Sequence, residues 1–102
     1  MAYTLIFDKQ FARDYRKLDK SLQIEGDKKL KRLKDNPKDI GKPLKFLPKL
    51  YELHLQSYRI YYIFDDMNNK VLVLAISYKD EQDKFLRRLS VETLKRFIEE
   101  NL

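Results

Sequence analysis

The sequence predicts a small α+β domain whose elements follow the order β-α-α-β-β-β-α. Residues 51–78 contain the one long run of β-branched and aromatic residues, and a polar cluster at residues 65–70 interrupts it once. Runs joined by Asp and Asn are typical of a β-hairpin, because these residues tolerate the backbone angles of a tight reversal. Apolar residues on both sides of the hairpin recur with a helical period. We therefore expect both ends of the chain to pack against the hairpin.

A first strand and a first helix are expected near the N-terminus. Residues 3–7 alternate in the manner of a strand. From Asp8 the period changes to 3.6, and Phe11, Tyr15 and Leu18 fall on one stripe. The basic residues of this segment lie off the stripe, so an amphipathic helix with a basic outer face is predicted.

A second helix is predicted from Ser21, which can cap its N-terminus. Its apolar stripe consists of Leu22, Gly26, Leu30 and Leu33. A glycine inside a helix costs about 1 kcal/mol relative to alanine, so we expect the two helices to cross closely at Gly26. The helix should end at Asn36, because the residue before a proline is disfavoured in a helix.

Positive charge is concentrated in the second helix and the segment after it. The chain has 22 Lys and Arg against 16 Asp and Glu, which gives a net charge of +6. Residues 27–49 hold nine of the basic residues and three aspartates. Residues 38–49 contain Gly41, Pro43 and Pro48, and we interpret them as a loop long enough to be functional. This surplus favours a polyanionic partner, either nucleic acid or an acidic protein.

Side-chain alternation predicts the faces of the later strands. With Ser57 and Tyr58 as a two-residue turn, apolar residues share one face and polar residues the other. The predicted opposite pairs are Leu55 with Ile60, Leu53 with Tyr62, Gln56 with Arg59, and His54 with Tyr61. Neither Ser nor Tyr favours positive φ, so a wider loop with a shifted register stays open. Residues 71–77 are apolar on both faces, which indicates a central strand.

A last helix is predicted near the C-terminus. Ser90 can cap it, and Leu94, Phe97 and Ile98 follow at helical spacing. An apolar patch just before the cap consists of Phe85, Leu86 and Leu89.

Composition excludes several classes of protein. At 102 residues, a single domain covering residues 1–102 is expected. The absence of cysteine excludes disulfides and thiolate metal sites. The N-terminal segment lacks the features of a signal peptide, and no segment has the length of a membrane span. We therefore expect a cytoplasmic protein.

Three stretches carry a resemblance to a known family. They are FARDYRKLDKSLQ in the helices, residues 36–44, and LYELHLQSYRIYYIFDD followed by KVLVLAISY. The Tyr-Arg-Ile-Tyr-Tyr core at residues 58–62 is the strongest single piece. In their order and spacing, over nearly the full chain, these stretches resemble the RelE/ParE superfamily of toxins from type II toxin–antitoxin systems.

The resemblance implies an antiparallel sheet with a helical hairpin on one face and an RNA-binding site on the opposite, concave face. RelE-like members cut mRNA in the ribosomal A site, ParE-like members poison DNA gyrase, and an antitoxin neutralises either. We therefore expect a ribosome-dependent mRNA endoribonuclease that uses no metal or small-molecule cofactor. Its expected partners are mRNA, the ribosome and an acidic antitoxin. No association with a membrane is expected. A gyrase inhibitor without RNA cleavage, or a catalytically degenerate toxin that binds an antitoxin, stays open as the alternative.

Three residues are the catalytic candidates. Attack by a 2′-hydroxyl needs a base, a cation for the phosphorane and an acid for the leaving oxygen. Arg59 matches the strand arginine of the family, and its guanidinium suits a phosphate; the alternative is a sheet arginine paired with Glu52 or Asp80. His54, the one histidine, can act as base or acid. Lys79 lies near the family's basic position after the last long strand and can stabilise the transition state.

A further set of residues is expected to bind RNA. They are Tyr61, Lys31, Lys34, Lys42 and Lys45. An aromatic ring such as that of Tyr61 can stack on a base, although core packing is expected for at least two of Tyr58, Tyr61 and Tyr62.

The chain departs from the family's pattern at three positions. Glu52 stands where the strongest ribonucleases have a basic residue, and a carboxylate there repels phosphate unless it serves as the base. Asp80 follows Lys79 where such members have an arginine. Phe85 stands near the family's tyrosine and lacks its hydroxyl. These departures are the reason that the two alternatives stay open.

Overall fold

A computed structural model describes residues 2–44 and 50–88, together with the pairs 95–96 and 99–100. Within these residues one sheet contains the strands β1 (Thr4–Phe7), β2 (Lys42–Pro43), β3 (Tyr51–Leu55), β4 (Tyr58–Asp65) and β5 (Lys70–Tyr78). The helices are α1 (Lys9–Arg16), α2 (Lys20–Leu33), α3 (Pro37–Ile40) and α4 (Gln82–Arg88), and a 3₁₀ turn (Lys79–Glu81) precedes α4. None of the described helices combines the length and the apolar character that a membrane span requires.

The α+β class is confirmed, but the sheet is mixed rather than wholly antiparallel. Its strand order is β1-β5-β4-β3-β2. The strand β1 lies parallel to β5, with Leu5 opposite Val71, whereas the other pairs are antiparallel. Parallel neighbours require a long connection, and the helices together with β3 and β4 provide one between β1 and β5. The prediction that β5 is a central strand is confirmed, because β1 and β4 flank it.

The predicted register of β3 and β4 is wrong, but the predicted faces are right. The turn lies at Gln56 and Ser57, one residue earlier than expected, and Gln56 has a φ of 53°. The observed pairs are Leu55 with Tyr58, His54 with Arg59, Leu53 with Ile60, and Glu52 with Tyr61. The Gln56 carboxamide donates to Glu25 of α2 at 3.0 Å and so holds the turn against the helix. The register differs from the expected one by two residues, which returns every side chain to the same face.

The helical hairpin of α1 and α2 covers one face of the sheet. Its buried cluster consists of Phe11, Leu30 and Leu33 from the helices with Leu53, Leu55, Ile60, Tyr62, Val71 and Val73 from the sheet. A second cluster lies on the other face, where α4 packs. It consists of Leu50, Tyr61, Ile63, Leu72 and Leu74, with Phe85 and Leu86 against them. Both faces of β5 are therefore covered by apolar contacts.

One helix begins at a different residue than predicted, and another helix was not predicted. The helix α2 begins at Lys20, with Asp19 at the N-cap, so Ser21 lies within the first turn instead of capping it. The helix α4 (Gln82–Arg88) lies before the expected cap at Ser90 and was not predicted. The residues on which the C-terminal helix was predicted, Ser90, Leu94, Phe97 and Ile98, lie outside the described residues.

The segment expected to be a loop, residues 38–49, contains part of α3 and all of β2. Tyr62 of β4 contacts this segment. Pro37 opens α3, where a proline is well tolerated, and β2 pairs with β3. The Tyr62 hydroxyl donates to the carbonyl of Pro37 at 2.6 Å. A Cβ on Gly41 would contact this hydroxyl and lie 2.8 Å from the carbonyl oxygen of Glu52. The missing side chain of Gly41 thus lets the segment lie close to the sheet.

Gly26 marks a close crossing of α1 and α2, as predicted. A Cβ at this position would contact the Tyr15 hydroxyl and lie 3.0 Å from ring carbon Cε1. That hydroxyl lies 2.9 Å from the carbonyl oxygen of Gln23 and 2.8 Å from Asp27 Oδ1, and its single proton is shared between these two acceptors. Burial and the bond to Asp27 raise the pKa of Tyr15, so its hydroxyl stays protonated as a donor. The glycine therefore makes room for a hydrogen-bonded tyrosine between the helices.

We predict that Gly26→Ala destabilises the protein by about 1–3 kcal/mol, as overpacking of a core does. On an exposed helical site the same change would stabilise by about 1 kcal/mol. The free energy of unfolding in urea measures the effect, and Lys28→Ala, exposed on the same helix, is the neutral control. The cost should shrink when Tyr15→Phe removes the hydroxyl. A Gly26→Ala protein more stable than the wild type would contradict the close crossing.

Candidate functional site

His54 and Arg59 lie directly opposite each other on β3 and β4. Their neighbours Leu53, Leu55 and Ile60 are buried under the helical hairpin. Because successive side chains of a strand point to opposite faces, His54 and Arg59 project from the face away from the hairpin. The side chain of His54 is 43% exposed. The structure therefore brings two of the three catalytic candidates together on an accessible surface.

The guanidinium of Arg59 is held by the backbone. Its Nη1 donates to the carbonyl oxygens of Gln56 at 2.9 Å and Tyr58 at 2.8 Å. In the described part of the chain no carboxylate forms an ion pair with Arg59, so the expected alternative of a pair with Glu52 or Asp80 is not found. Two fixed donors orient the fork, and its other N–H groups are left for an anion.

Lys79 lies at the same end of the sheet as Arg59. Its backbone N–H donates to the carbonyl of Ser57 at 2.7 Å, which ties the start of the 3₁₀ turn to the β3–β4 turn. The preceding residue, Tyr78, pairs with Tyr58, the neighbour of Arg59. The Lys79 side chain is exposed. All three catalytic candidates thus occupy one end of the β3–β4–β5 surface.

Glu52 faces His54 rather than open solvent. His54 Nε2 lies 3.0 Å from Glu52 Oε1. The amide of Gln82, from α4, donates to the other carboxylate oxygen. The Glu52 side chain is 14% exposed. The negative charge at this position is therefore directed at the imidazole and an amide.

Tyr61 shares the face of His54 but is fully buried. Its ring stacks on Phe85, with centroids 4.3 Å apart and an angle of 18° between the rings. Its hydroxyl lies 3.0 Å from Ser77 Oγ, and burial raises its pKa. In this structure the ring is not accessible to an RNA base. Tyr61 and Tyr62 both pack in the core, and Phe85 covers Tyr61.

A basic cleft of about 240 Å³ adjoins His54. It is lined by Lys29, Arg32, Ile40, Gly41, Lys42, Glu52, Leu53 and His54. Lys29 Nζ also donates to the backbone carbonyl of His54 at 2.6 Å. Lys42, expected to bind RNA, is therefore close to His54. Lys29 and Arg32 were not predicted, although their spacing of three residues places both on one face of a helix.

The remaining predicted lysines are elsewhere. Lys31 and Lys34 line a separate cleft of about 630 Å³ between β1 and α2, together with Tyr3 and Phe7. The structure does not bring these two lysines together with His54 and Arg59. Lys45 lies outside the described residues.

Comparison with known proteins shows the family. The family model for the ParE toxin of the type II toxin–antitoxin system parDE matches residues 5–83. The mRNA interferase toxin RelE of Escherichia coli K12 is 30% identical over 77 residues, which cover 76% of this chain and 81% of that protein.

Solved structures give the same result. The toxin of the intact E. coli RelBE toxin–antitoxin complex has a TM-score of 0.69 and 29% identity, covering 76% of this chain and 96% of that chain. The RelBE2 complex of Mycobacterium tuberculosis gives a TM-score of 0.68 at 26% identity, covering 76% of this chain and 99% of that chain. A mutant E. coli RelE in the free state gives 0.73 at 26% identity, covering 88% of this chain and all of that one. With both sequence and fold in agreement, the chain belongs to the RelE/ParE superfamily of type II toxins.

Proposed function

We propose that this toxin is an endoribonuclease that cleaves mRNA on the ribosome, by attack of a 2′-hydroxyl on the adjacent phosphate. The observation that carries the proposal is the direct opposition of His54 and Arg59 on an accessible face of the sheet. The relative that is named an mRNA interferase, 30% identical over 77 residues, supports it. A general base and a phosphate-binding cation are two of the three groups that this reaction needs, and here they lie side by side.

Each candidate then has a role in the reaction. His54 takes the proton of the 2′-hydroxyl as the bond from that oxygen to phosphorus forms. Arg59 binds the non-bridging oxygens and stabilises the charge of the phosphorane. The bond from phosphorus to the 5′-oxygen breaks, and this oxygen takes a proton from water, while the ammonium of Lys79 stabilises the negative charge that develops. The products are a 2′,3′-cyclic phosphate and a 5′-hydroxyl.

Two groups of basic side chains bind two RNA partners in this proposal. The cleft with Lys29, Arg32 and Lys42 adjoins His54 and suits the phosphates of the mRNA. Lys31 and Lys34 line the separate cleft between β1 and α2 and suit ribosomal RNA. Lys45, which lies outside the described residues, stays a predicted RNA-binding residue. The net charge of +6 supports binding to a polyanion.

An antitoxin is the second partner that we propose. Two of the similar structures are toxin–antitoxin complexes, one from E. coli and one from M. tuberculosis. An acidic partner would complement the surplus of positive charge and bind with an electrostatically enhanced rate.

A second candidate function is the binding of DNA gyrase without RNA chemistry. The family model that matches is that of a ParE toxin. Tyr61 is buried, so among the described residues no tyrosine is exposed at the centre of the sheet face opposite the helical hairpin. A degenerate toxin that retains antitoxin binding is the third alternative. Growth arrest on expression would exclude the degenerate toxin.

Arg59→Ala is predicted to relieve growth arrest, with a cleavage rate lower by about 10²–10³-fold, the usual cost of losing one transition-state donor. Growth after induction and cleavage on purified ribosomes measure the loss. Arg13→Ala removes an exposed arginine from α1 and should change neither. Unfolding in urea checks that the variant is folded. Undiminished toxicity of a folded Arg59→Ala protein would refute the assigned role of Arg59.

Primer extension on cellular mRNA after induction separates cleavage from gyrase inhibition. We predict new 5′ ends at defined positions within codons, because cleavage takes place in the reading frame of a translating ribosome. Intact mRNA with an induced DNA-damage response would favour the second candidate instead.

Two double variants of equal charge test the roles of the lysine clusters. Lys29→Ala with Arg32→Ala should weaken binding of a short RNA and lower the slope of log affinity against log salt by about 1–2, about one unit per lost phosphate contact. Lys31→Ala with Lys34→Ala should leave that binding unchanged and weaken binding to ribosomes. Equal effects of the two variants on short RNA would indicate a diffuse charge effect rather than a cleft.

A further inference from the structure

The carboxylate of Glu52 lies where it can orient His54, the one histidine of the chain. The role inferred for this contact rests on the proposed RNA cleavage. We propose that Glu52 is a positioning residue that binds the Nε2–H group of His54, so that Nδ1 is the nitrogen that takes the proton of the 2′-hydroxyl. Glu52 and His54 then work as one acid–base unit. The position where the family's basic residue is missing thus acquires a role of its own.

The geometry of β3 places the two side chains together. Residues two apart on a strand lie on the same face, and Glu52 Oε1 is 3.0 Å from His54 Nε2. A carboxylate only accepts hydrogen bonds, so Nε2 must carry the proton in this pair. In the described part of the chain Nδ1 has no hydrogen-bond partner, and the His54 side chain is 43% exposed. The free nitrogen is therefore the one that a substrate can reach.

Gln82 fixes the carboxylate from the other side. It lies at the start of α4, and its amide donates to Glu52 Oε2. Both carboxylate oxygens are thereby engaged, and the side chain is 14% exposed. In the described residues no Lys or Arg forms an ion pair with Glu52. Of the groups bonded to this carboxylate, the imidazole of His54 is the one that can become a cation.

This arrangement favours His54, rather than Glu52, as the general base. When Nδ1 accepts the proton, the imidazole becomes an imidazolium, and the adjacent carboxylate stabilises that charge, as the third member of a catalytic triad does. Glu52 as the base would have to leave His54 or Gln82 to meet the 2′-hydroxyl. Arg59, opposite His54, lies where it can bind the phosphate next to that hydroxyl.

Nitrogen-15 NMR of the imidazole tests the pairing in the free protein. The chain has one histidine, so the spectrum contains a single imidazole. In the neutral form we expect Nε2 to be protonated and Nδ1 unprotonated, with an observable proton on Nε2. In Glu52→Ala this proton should exchange with water and its resonance should disappear. A wild-type imidazole protonated at Nδ1, or a spectrum unchanged in Glu52→Ala, would overturn the inference.

Cleavage on purified ribosomes under single-turnover conditions tests the consequence. Glu52→Ala should lower the maximal rate by about 10–100-fold, by analogy with the loss of a carboxylate that orients a metal-bound histidine, with the half-saturating toxin concentration unchanged. Glu52→Gln keeps the size of the side chain and loses its charge, and it should also be slow, which guards against misfolding of the alanine variant. His54→Ala should be slower by about 10²–10⁴-fold.

A double variant tests whether Glu52 and His54 act as one unit or as two independent groups. Glu52→Ala combined with His54→Ala should be no slower than His54→Ala alone, because groups that act together are not additive. A further loss in the double variant, or full activity of Glu52→Ala, would overturn the positioning role while leaving RNA cleavage in place. A wild-type protein that leaves mRNA intact would overturn the proposed function itself.

Discussion

The register of the β3–β4 pair determines which side chains are buried and which are exposed. Because strand side chains alternate with a period of two, the register that places Leu53 and Ile60 under the helices also sets His54 opposite Arg59. A slip by one residue would expose the core side chains and bury His54 and Arg59. The contact of Gln56 with Glu25 of α2 opposes such a slip. Core formation and assembly of the site therefore depend on the same hydrogen-bond ladder.

The face opposite the helical hairpin is divided between packing and chemistry. Phe85 of α4 closes over Tyr61, and this half of the face is an apolar cluster. The other half, with His54 and Arg59, stays accessible. Gln82 lies at the boundary, where it joins α4 to the carboxylate of Glu52. The helix α4 thus contacts Glu52, the residue that we propose orients His54.

Much of this fold follows from local sequence patterns. The parts that could not be predicted are those set by contacts between distant segments. Alternation in β3 and β4 was sufficient to assign Leu53, Leu55 and Ile60 to the core. The turn position was not predictable, because Gln56 takes a positive φ in a turn that is held by Glu25, 31 residues earlier in the chain. Likewise, the parallel pairing of β1 depends on the path of the chain between β1 and β5.

The candidate site was predictable to a similar degree. His54 and Arg59 were expected on one face and are found there, although the expected partner of His54 was Tyr61. The burial of Tyr61 depends on the docking of α4, which local patterns do not reveal. Lys29 and Arg32 were missed because their proximity to His54 depends on how α2 crosses β3.

The chemistry of the RNA ends is the most direct test of a cleavage site built from His54 and Arg59. Attack by the 2′-hydroxyl leaves a 5′-hydroxyl on the downstream fragment and a cyclic phosphate on the upstream one. The measurement is end-group analysis of mRNA cut by the purified toxin on ribosomes. We predict that polynucleotide kinase labels the new 5′ ends without prior phosphatase treatment. Fragments that carry a 5′-phosphate, or mRNA that remains intact, would contradict the proposed mechanism.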